Sequence, residues 1–287
     1  MFHVIRDAVV ERLREAVVDP GIDARIDTLP NNLSESGYDA WGFHPEWAKW
    51  SLSVVRHAYE RYFRVETHGM ENVPDGRVLL IANHGGQLPL DGMMVAASLA
   101  LERTPPRAVR AQVEKWFPTL PVLSTFFARN GQVVGTQNNC ARLLENDEAV
   151  LVFPEGIRGS GKLYRRRYQL QEFGLGFMRL ALRTGTPIVP VGVVGAEETY
   201  PALLNLARVA KLFGAPYLPV TPTFPLLGLL GLVPLPTRIR IYFDEPIRFD
   251  GDPDDPDDVL QEKVDIVRAA INKLVHYGLE SRPGLFD

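Results

Sequence analysis

Two apolar runs, Val78-Leu79-Leu80-Ile81-Ala82 and Val150-Leu151-Val152-Phe153, each break off abruptly into polar residues. The first leads through Asn83-His84-Gly85-Gly86 to Asp91, which places a histidine at the end of a buried strand and an aspartate at the start of the next helix. The second leads through Pro154-Glu155-Gly156-Ile157-Arg158, a strand ending in a carboxylate and an arginine. Apolar strands that deliver polar side chains at their C-terminal ends are the usual way an α/β sheet builds a site.

The rest of the chain agrees with that class. Short apolar segments at 62–68, 77–83, 107–113, 149–153, 187–193 and 237–243 alternate with helical patterns at 91–103, 121–129, 138–145, 173–184, 202–212 and 257–277. This alternation predicts an α/β fold with a mixed, largely parallel sheet flanked by helices. Ahead of it, Ile5, Val9, Leu13 and Val17 share one face of a helix over 4–17, which Pro20-Gly21 ends. Residues 22–44 read as a long loop. A helix over 46–61 carries Trp47, Trp50, Val54 and Ala58 at helical spacing. Tryptophan near a helix end suits a lipid headgroup layer or ordinary core packing. The expected organisation is an N-terminal helical region, 1–61, and an α/β domain, 62–287.

Composition removes several classes. With 46% hydrophobic and 23% charged residues in 287, the chain can bury a sizeable core, and disorder is not expected. A net charge of -4 and a pI near 5.9 argue against nucleic acid as a partner. The single cysteine, Cys140, excludes an internal disulfide and a cysteine-based metal site. Charged residues soon interrupt the apolar start, so neither a signal peptide nor a membrane span is expected there. The longest uncharged stretch, 212–237, is long enough to cross a bilayer but carries six prolines and three glycines. It reads as a non-helical apolar loop, packed on the domain or dipped into a membrane surface, because 224–233 would be a costly patch in water. The acidic run 250–258 reads as a solvated turn capping the last helix. Pro253 and Pro256 break the pattern of a calcium loop.

His84 is the one histidine of six that ends an apolar strand inside a glycine-rich turn. An imidazole with a carboxylate partner can take up a proton near neutral pH, and Asp91 lies within folding distance. The same residues also read as a satisfied turn histidine and a helix N-terminal acid. Glu155 and Arg158 are followed by Lys162, Arg165, Arg166 and Arg167, a basic set suited to phosphate or carboxylate. Gly156 to Lys162 fits P-loop spacing up to the lysine, yet Leu163 stands where a magnesium-ligating hydroxyl belongs. Ser160 lacks the spacing of a nucleophile elbow.

Taken in order, the blocks resemble the glycerolipid acyltransferase superfamily, the lysophosphatidic acid acyltransferase-like proteins. Asn83-His84 with Asp91 resembles the catalytic His-Asp motif, Phe153 to Arg158 the Phe-Pro-Glu-Gly-Thr-Arg block, and Pro187-Ile188-Val189-Pro190-Val191 the final proline block. Six residues separate His84 from Asp91 where the family usually has four, as in the neutral-lipid and diverged lysophospholipid branches. Gln137 stands where phosphate-binding members carry arginine, a change worth about 2–4 kcal/mol of phosphate recognition.

The resemblance implies that His84 and Asp91 are catalytic. Glu155, Gly156, Arg158, Gln137 and Lys162 would bind substrate, and the N–H groups of Gly85 and Gly86, or of Gly156, would hold an oxyanion. The donor would be acyl-CoA or acyl-carrier protein, and the acceptor a lysophospholipid or other glycerolipid. No cofactor or metal is expected. The expected location is cytoplasmic and peripheral, at a membrane surface reached through 212–237 and the Trp-bearing helix, with Arg238 and Arg240 near anionic headgroups. Two alternatives stand beside this reading: a catalytically silent lipid-binding protein of the same fold, and a P-loop nucleotide-binding protein.

Overall fold

In the computed structural model the residues described are 11–284 and 286, apart from 13, 15, 30–31, 114–122, 207–208 and 211–216. The fold is organised by strand β2. After the short edge strand β1 (Glu66–His68), β2 (Val78–Ala82) is buried along its whole length. Its side chains alternate between two cores, as a period of two requires. Leu79 and Ile81 pack with Leu143, Met178 and Val264 on one face. Val78, Leu80 and Ala82 pack with Met94, Leu99 and Phe63 on the other. Burying each such large side chain is worth about 1.5–3 kcal/mol, so helices on both faces are what hold the strand in place.

The other strands follow in order: β3 (Val109–Val113), β4 (Val133–Val134), β5 (Ala149–Val152), β6 (Ile188–Val194), β7 (Leu204–Asn205), β8 (Pro219–Val220) and β9 (Arg240–Phe243). Seven form one sheet, ordered β1-β9-β6-β2-β5-β3-β4. Every pair in it is parallel except β6 with β9. β7 and β8 make a separate antiparallel ribbon.

The helices are α1 (Pro20–Asp27), α2 (Pro45–His57), α3 (Leu90–Leu101), α4 (Leu123–Arg129), α5 (Gln137–Glu145), α6 (Ile157–Ser160), α7 (Gly176–Thr184) and α8 (Asp257–Ser281). α8 buries Leu260, Val264, Val267, Ile271 and Val275, one stripe at helical spacing, and its first turn carries Asp257 and Asp258 against the exposed N–H groups there. The acidic run therefore precedes and opens this helix. Among the described residues, no group of three or more His, Cys, Asp or Glu is placed to hold a metal ion.

Three sequence expectations change. The span 22–44 is not all loop, because α1 begins at Pro20: Asp19 Oδ1 accepts from the Gly21 and Ile22 N–H groups, and a proline opens the helix. The helix expected over 202–212 gives way at Leu204–Asn205 to β7, which pairs with β8; residues 207–208 and 211–212 lie outside the description. Of the helix expected over 4–17, residues 4–10, 13 and 15 lie outside it, and the described remainder is helical.

Over 217–237 the chain forms β8 and a 3₁₀ turn (Gly228–Leu232) but no α-helix. Among the described residues no helix is long and apolar enough to cross a membrane. Leu226 is 83% and Leu230 73% exposed, so this segment presents apolar side chains outward. Arg238 and Arg240 are not presented with it: each lies 2.8 Å from a Glu66 oxygen.

The N-terminal helices are clasped by one ammonium. Lys49, buried on α2, lies 2.7 Å from carboxylate oxygens of Asp23, Asp27 and Glu46. Its hydrogen bond holds the Asp23 carboxyl below the usual carboxylate range.

Candidate active site

Sheet register explains why the histidine and the glutamate meet. Ile81 of β2 pairs with Val152 of the parallel neighbour β5, and His84 and Glu155 each lie three residues further on, at equal height. β2 connects onward toward β3 on one side, while β5 leads to β6 on the other, so the crevice beyond the ends of β2 and β5 is a topological switch point. Asn83 closes the end of β2 with its side chain, exchanging hydrogen bonds with the Val193 carbonyl (2.9 Å) and N–H (2.7 Å).

His84 Nδ1 lies 2.6 Å from Asp91 Oδ2. Asp91 is fully buried in the first turn of α3, and its carboxylate also accepts from the N–H groups of Gly85 (2.9 Å) and Gly92 (2.7 Å). Those donors, with the helix N-terminus, satisfy a charge that would otherwise be costly to bury. The His84 ring stacks on Phe153, centroids 4.3 Å apart, so its plane is fixed as well as its edge. Burial alone would lower the proton affinity of this imidazole. The charge and hydrogen bond of Asp91, with the Glu155 carboxylate behind, outweigh it and raise the pKa above the ordinary value. With Nδ1 engaged, Nε2 is the nitrogen left for a substrate.

The ring opens onto a cavity of about 560 Å³. Ala96, Ala97 and Ala100 of α3 line it on one side, Leu52 and Val55 of α2 on another, and Tyr217 closes over the mouth, its hydroxyl donating to the Gln87 carbonyl at 2.7 Å. Small side chains on α3 leave this space; larger ones would fill it. The walls are mostly apolar, and among the described residues no lysine or arginine lines it.

The expected substrate-binding residues are placed differently from one another. Glu155 is buried, with Oε1 accepting from the His84 N–H (2.8 Å) and Oε2 from the Gln171 N–H (2.7 Å). Lys162 is buried between Glu155 and Glu197. Arg158 is 60% exposed on the short helix α6 and pairs with Glu172, 3.1 Å away. Gln137 opens α5 and donates to the Gly176 carbonyl (2.9 Å). Of the glycines, Gly85 gives its N–H to Asp91 and Gly156 its N–H to the Phe153 carbonyl (3.0 Å), which leaves Gly86 as the remaining oxyanion donor of the three. Gly156 lines the cavity. Gly159 is required by close approach, since a Cβ there would sit 2.9 Å from His84 Cβ.

Neither rival nucleophile nor P-loop survives this geometry. Burial pushes the Cys140 thiol up to about 11, and it lies outside the cavity. Lys162, the lysine that a P-loop would aim at phosphate, is enclosed by carboxylates. Three functional side chains escaped the sequence reading: Phe153, which reads as the last residue of a strand; Tyr217, hidden in the uncharged loop; and Glu197. The signal for the last was two adjacent acids, Glu197-Glu198, directly after a fully buried strand.

A family model described as Acyltransferase matches residues 64–194, from the start of the sheet through β6. An uncharacterised protein of Mycobacterium tuberculosis is 41% identical over 255 residues, which cover 86% of this chain and 71% of that protein. The chain belongs to the glycerolipid acyltransferase superfamily. Further relatives of this acyltransferase are the proteins of Gallus gallus and Bos taurus described as "DGAT1/2-independent enzyme synthesizing storage lipids". Each is 25% identical, over 73% and 77% of this chain and 58% and 61% of theirs. The crystal structure of the 1-acyl-sn-glycerophosphate (LPA) acyltransferase PlsC from Thermotoga maritima matches with a TM-score of 0.50 at 17% identity, covering 83% of each chain. That likeness is one of fold.

Proposed function

We propose that this acyltransferase moves a fatty acyl group from an acyl thioester to a hydroxyl of a glycerolipid, with His84 as general base. The observation that carries the reading is the 2.6 Å contact between His84 Nδ1 and Asp91 Oδ2 at the head of a long apolar cavity. The acyl chain lies along α3 with its carbonyl carbon near Nε2. Nε2 takes the proton of the acceptor hydroxyl as the oxygen attacks that carbon. Asp91 holds the ring and stabilises the imidazolium. The tetrahedral oxyanion then collapses, the C–S bond breaks, and the imidazolium returns its proton to the departing thiolate. Acyl-CoA and acyl-carrier protein supply the same thioester.

An uncharged acceptor such as diacylglycerol fits this site better than a phosphate-bearing one such as lysophosphatidic acid. Support comes from Arg158 and Lys162, which are paired with carboxylates, from Gln137 in place of an arginine, and from the storage-lipid relatives. Acyl transfer to the two acceptors, measured side by side, tests this. Preference for lysophosphatidic acid would overturn the uncharged-acceptor assignment.

Asp91→Asn is expected to lower kcat by about 10³-fold or more, because an amide at this position presents N–H to Nδ1 and selects the wrong tautomer. Substrate KM should hold. An Asp91→Asn enzyme within a few-fold of wild type would remove the His-Asp mechanism.

Membrane docking belongs to the same proposal. Leu226, Leu227, Leu230, Leu232 and Val233 are exposed on an uncharged segment that Tyr217 ties to the cavity mouth. Such a patch favours a lipid surface over water. The double variant Leu226→Asp, Leu230→Asp should lose co-sedimentation with phosphatidylcholine–phosphatidylglycerol vesicles at unchanged Tm. Undiminished sedimentation would place docking elsewhere.

A further inference from the structure

On the side of the catalytic turn away from the cavity, three charged side chains are shut off from water together. Glu155, Lys162 and Glu197 have side chains at most 5% exposed. Lys162 Nζ lies 2.9 Å from Glu197 Oε1 and 3.4 Å from Glu155 Oε2. Glu197 Oε1 also accepts from the Tyr168 N–H at 3.0 Å. Two carboxylates thus share one ammonium. A buried ionic group of this kind is poor value as a source of stability, since well-packed apolar residues do as well or better. Its reason lies in what it touches.

All three members grip the turn over 84–87. Glu155 Oε1 accepts from the His84 N–H at 2.8 Å. The Lys162 carbonyl accepts from Gln87 Nε2 at 3.0 Å. Glu197 packs so closely on Gly85 that a Cβ there would lie 2.2 Å from Glu197 Cγ. We propose that Glu197 and Lys162 are positioning residues for acyl transfer, which act through Glu155 and Gly85 to fix the height of the turn that carries His84. This rests on His84 being the base.

Charge makes the arrangement responsive to pH. Burial pushes the Glu197 carboxyl up to about 7, against the pull of Lys162 and the Tyr168 N–H and with the repulsion of Glu155. From the turn, His84 and Asp91 face the group, and Tyr217 lies across the mouth. Glu198, the neighbouring acid, is neutralised separately by Arg282 at 2.8 Å and by the Tyr168 hydroxyl. The signs are opposite for the two residues. An ionised Glu197 favours the imidazolium form of His84, and Lys162 disfavours it.

The test uses the full chain, with kcat and KM measured against pH for a long-chain acyl-CoA and diacylglycerol in mixed micelles. The His84 imidazole is titrated by NMR in parallel. Glu197→Gln should lower kcat about 10-fold with KM within about 2-fold, the size of effect that removal of a supporting partner has at other sites. The His84 titration should move down by about 0.5 unit in Glu197→Gln and up by a similar amount in Lys162→Met. Lys162→Arg should restore most of the activity. If Lys162→Met fails to fold, Glu197→Gln carries the decision. Should Glu197→Gln keep kcat within about 2-fold and leave the titration within about 0.2 unit, while His84→Ala is inert, this inference falls and the base assignment stands. An active His84→Ala would overturn both.

Discussion

Replacing His84 with alanine is expected to lower acyl transfer by about 10³-fold while the protein stays folded and still binds its thioester. The effect is large because no second base is at hand: among the described residues that line the cavity, His84 is the one that titrates near neutral pH. The fold should tolerate the change. Asp91 keeps the Gly85 and Gly92 N–H groups, and the His84 side chain contributes only its stack on Phe153 to the packing. Wild-type activity should rise with pH through a value above that of ordinary imidazole, about 6.5, since the base works only when neutral and Asp91 keeps it protonated longer. Residual activity of the alanine variant should lack that limb. Steady-state kinetics over pH 5–9 with both proteins checks each part, and a variant that retains wild-type turnover would unseat the histidine.

The second large effect is one of substrate size. Ala100 lies nine residues beyond Asp91 on α3, about 14 Å at 1.5 Å per residue, and lines the far part of the cavity. Ala100→Phe should block that end. Each methylene excluded from an apolar site forfeits about 0.8 kcal/mol, so displacing about four costs roughly 3 kcal/mol, or ~10²-fold in kcat/KM for a long acyl chain. Chains short enough to stop before residue 100 should react as before. A chain-length series of acyl thioesters reads this directly. Equal losses at every length would mean that the acyl group does not run along α3.

What was legible in the sequence was local. His84 and Asp91 stood out because a buried strand and a helix start bracket them within one turn, and short-range chemistry decides that contact. Glu155 stood out as well, but its task did not: only the pairing of Ile81 with Val152 shows that its carboxylate reaches the His84 N–H instead of a ligand. Arg158 looked equally well placed after its strand. The one-turn helix α6 rotates it outward, and helical rotation over four residues is not readable from spacing. The cavity was out of reach for a different reason. Its walls come from α1, α2 and α3, and the alanines of α3 gain meaning only when opposed by Leu52 and Val55. Helix α1 was missed through a misread proline. Pro20 was taken as a stop, whereas Asp19-Pro20 is the signature of a capped start.

The Lys49 clasp has a consequence for how such a protein diversifies. Ile26 and Leu29, which follow from α1, and Leu52 on α2 form a floor held to the body in part through one ammonium and three acids, while the reacting groups ride on the sheet. Capacity and chemistry are thereby assigned to different parts of the molecule. A lineage can reshape the floor, and so change its diet of fatty acids, with no retuning of the base that does the work.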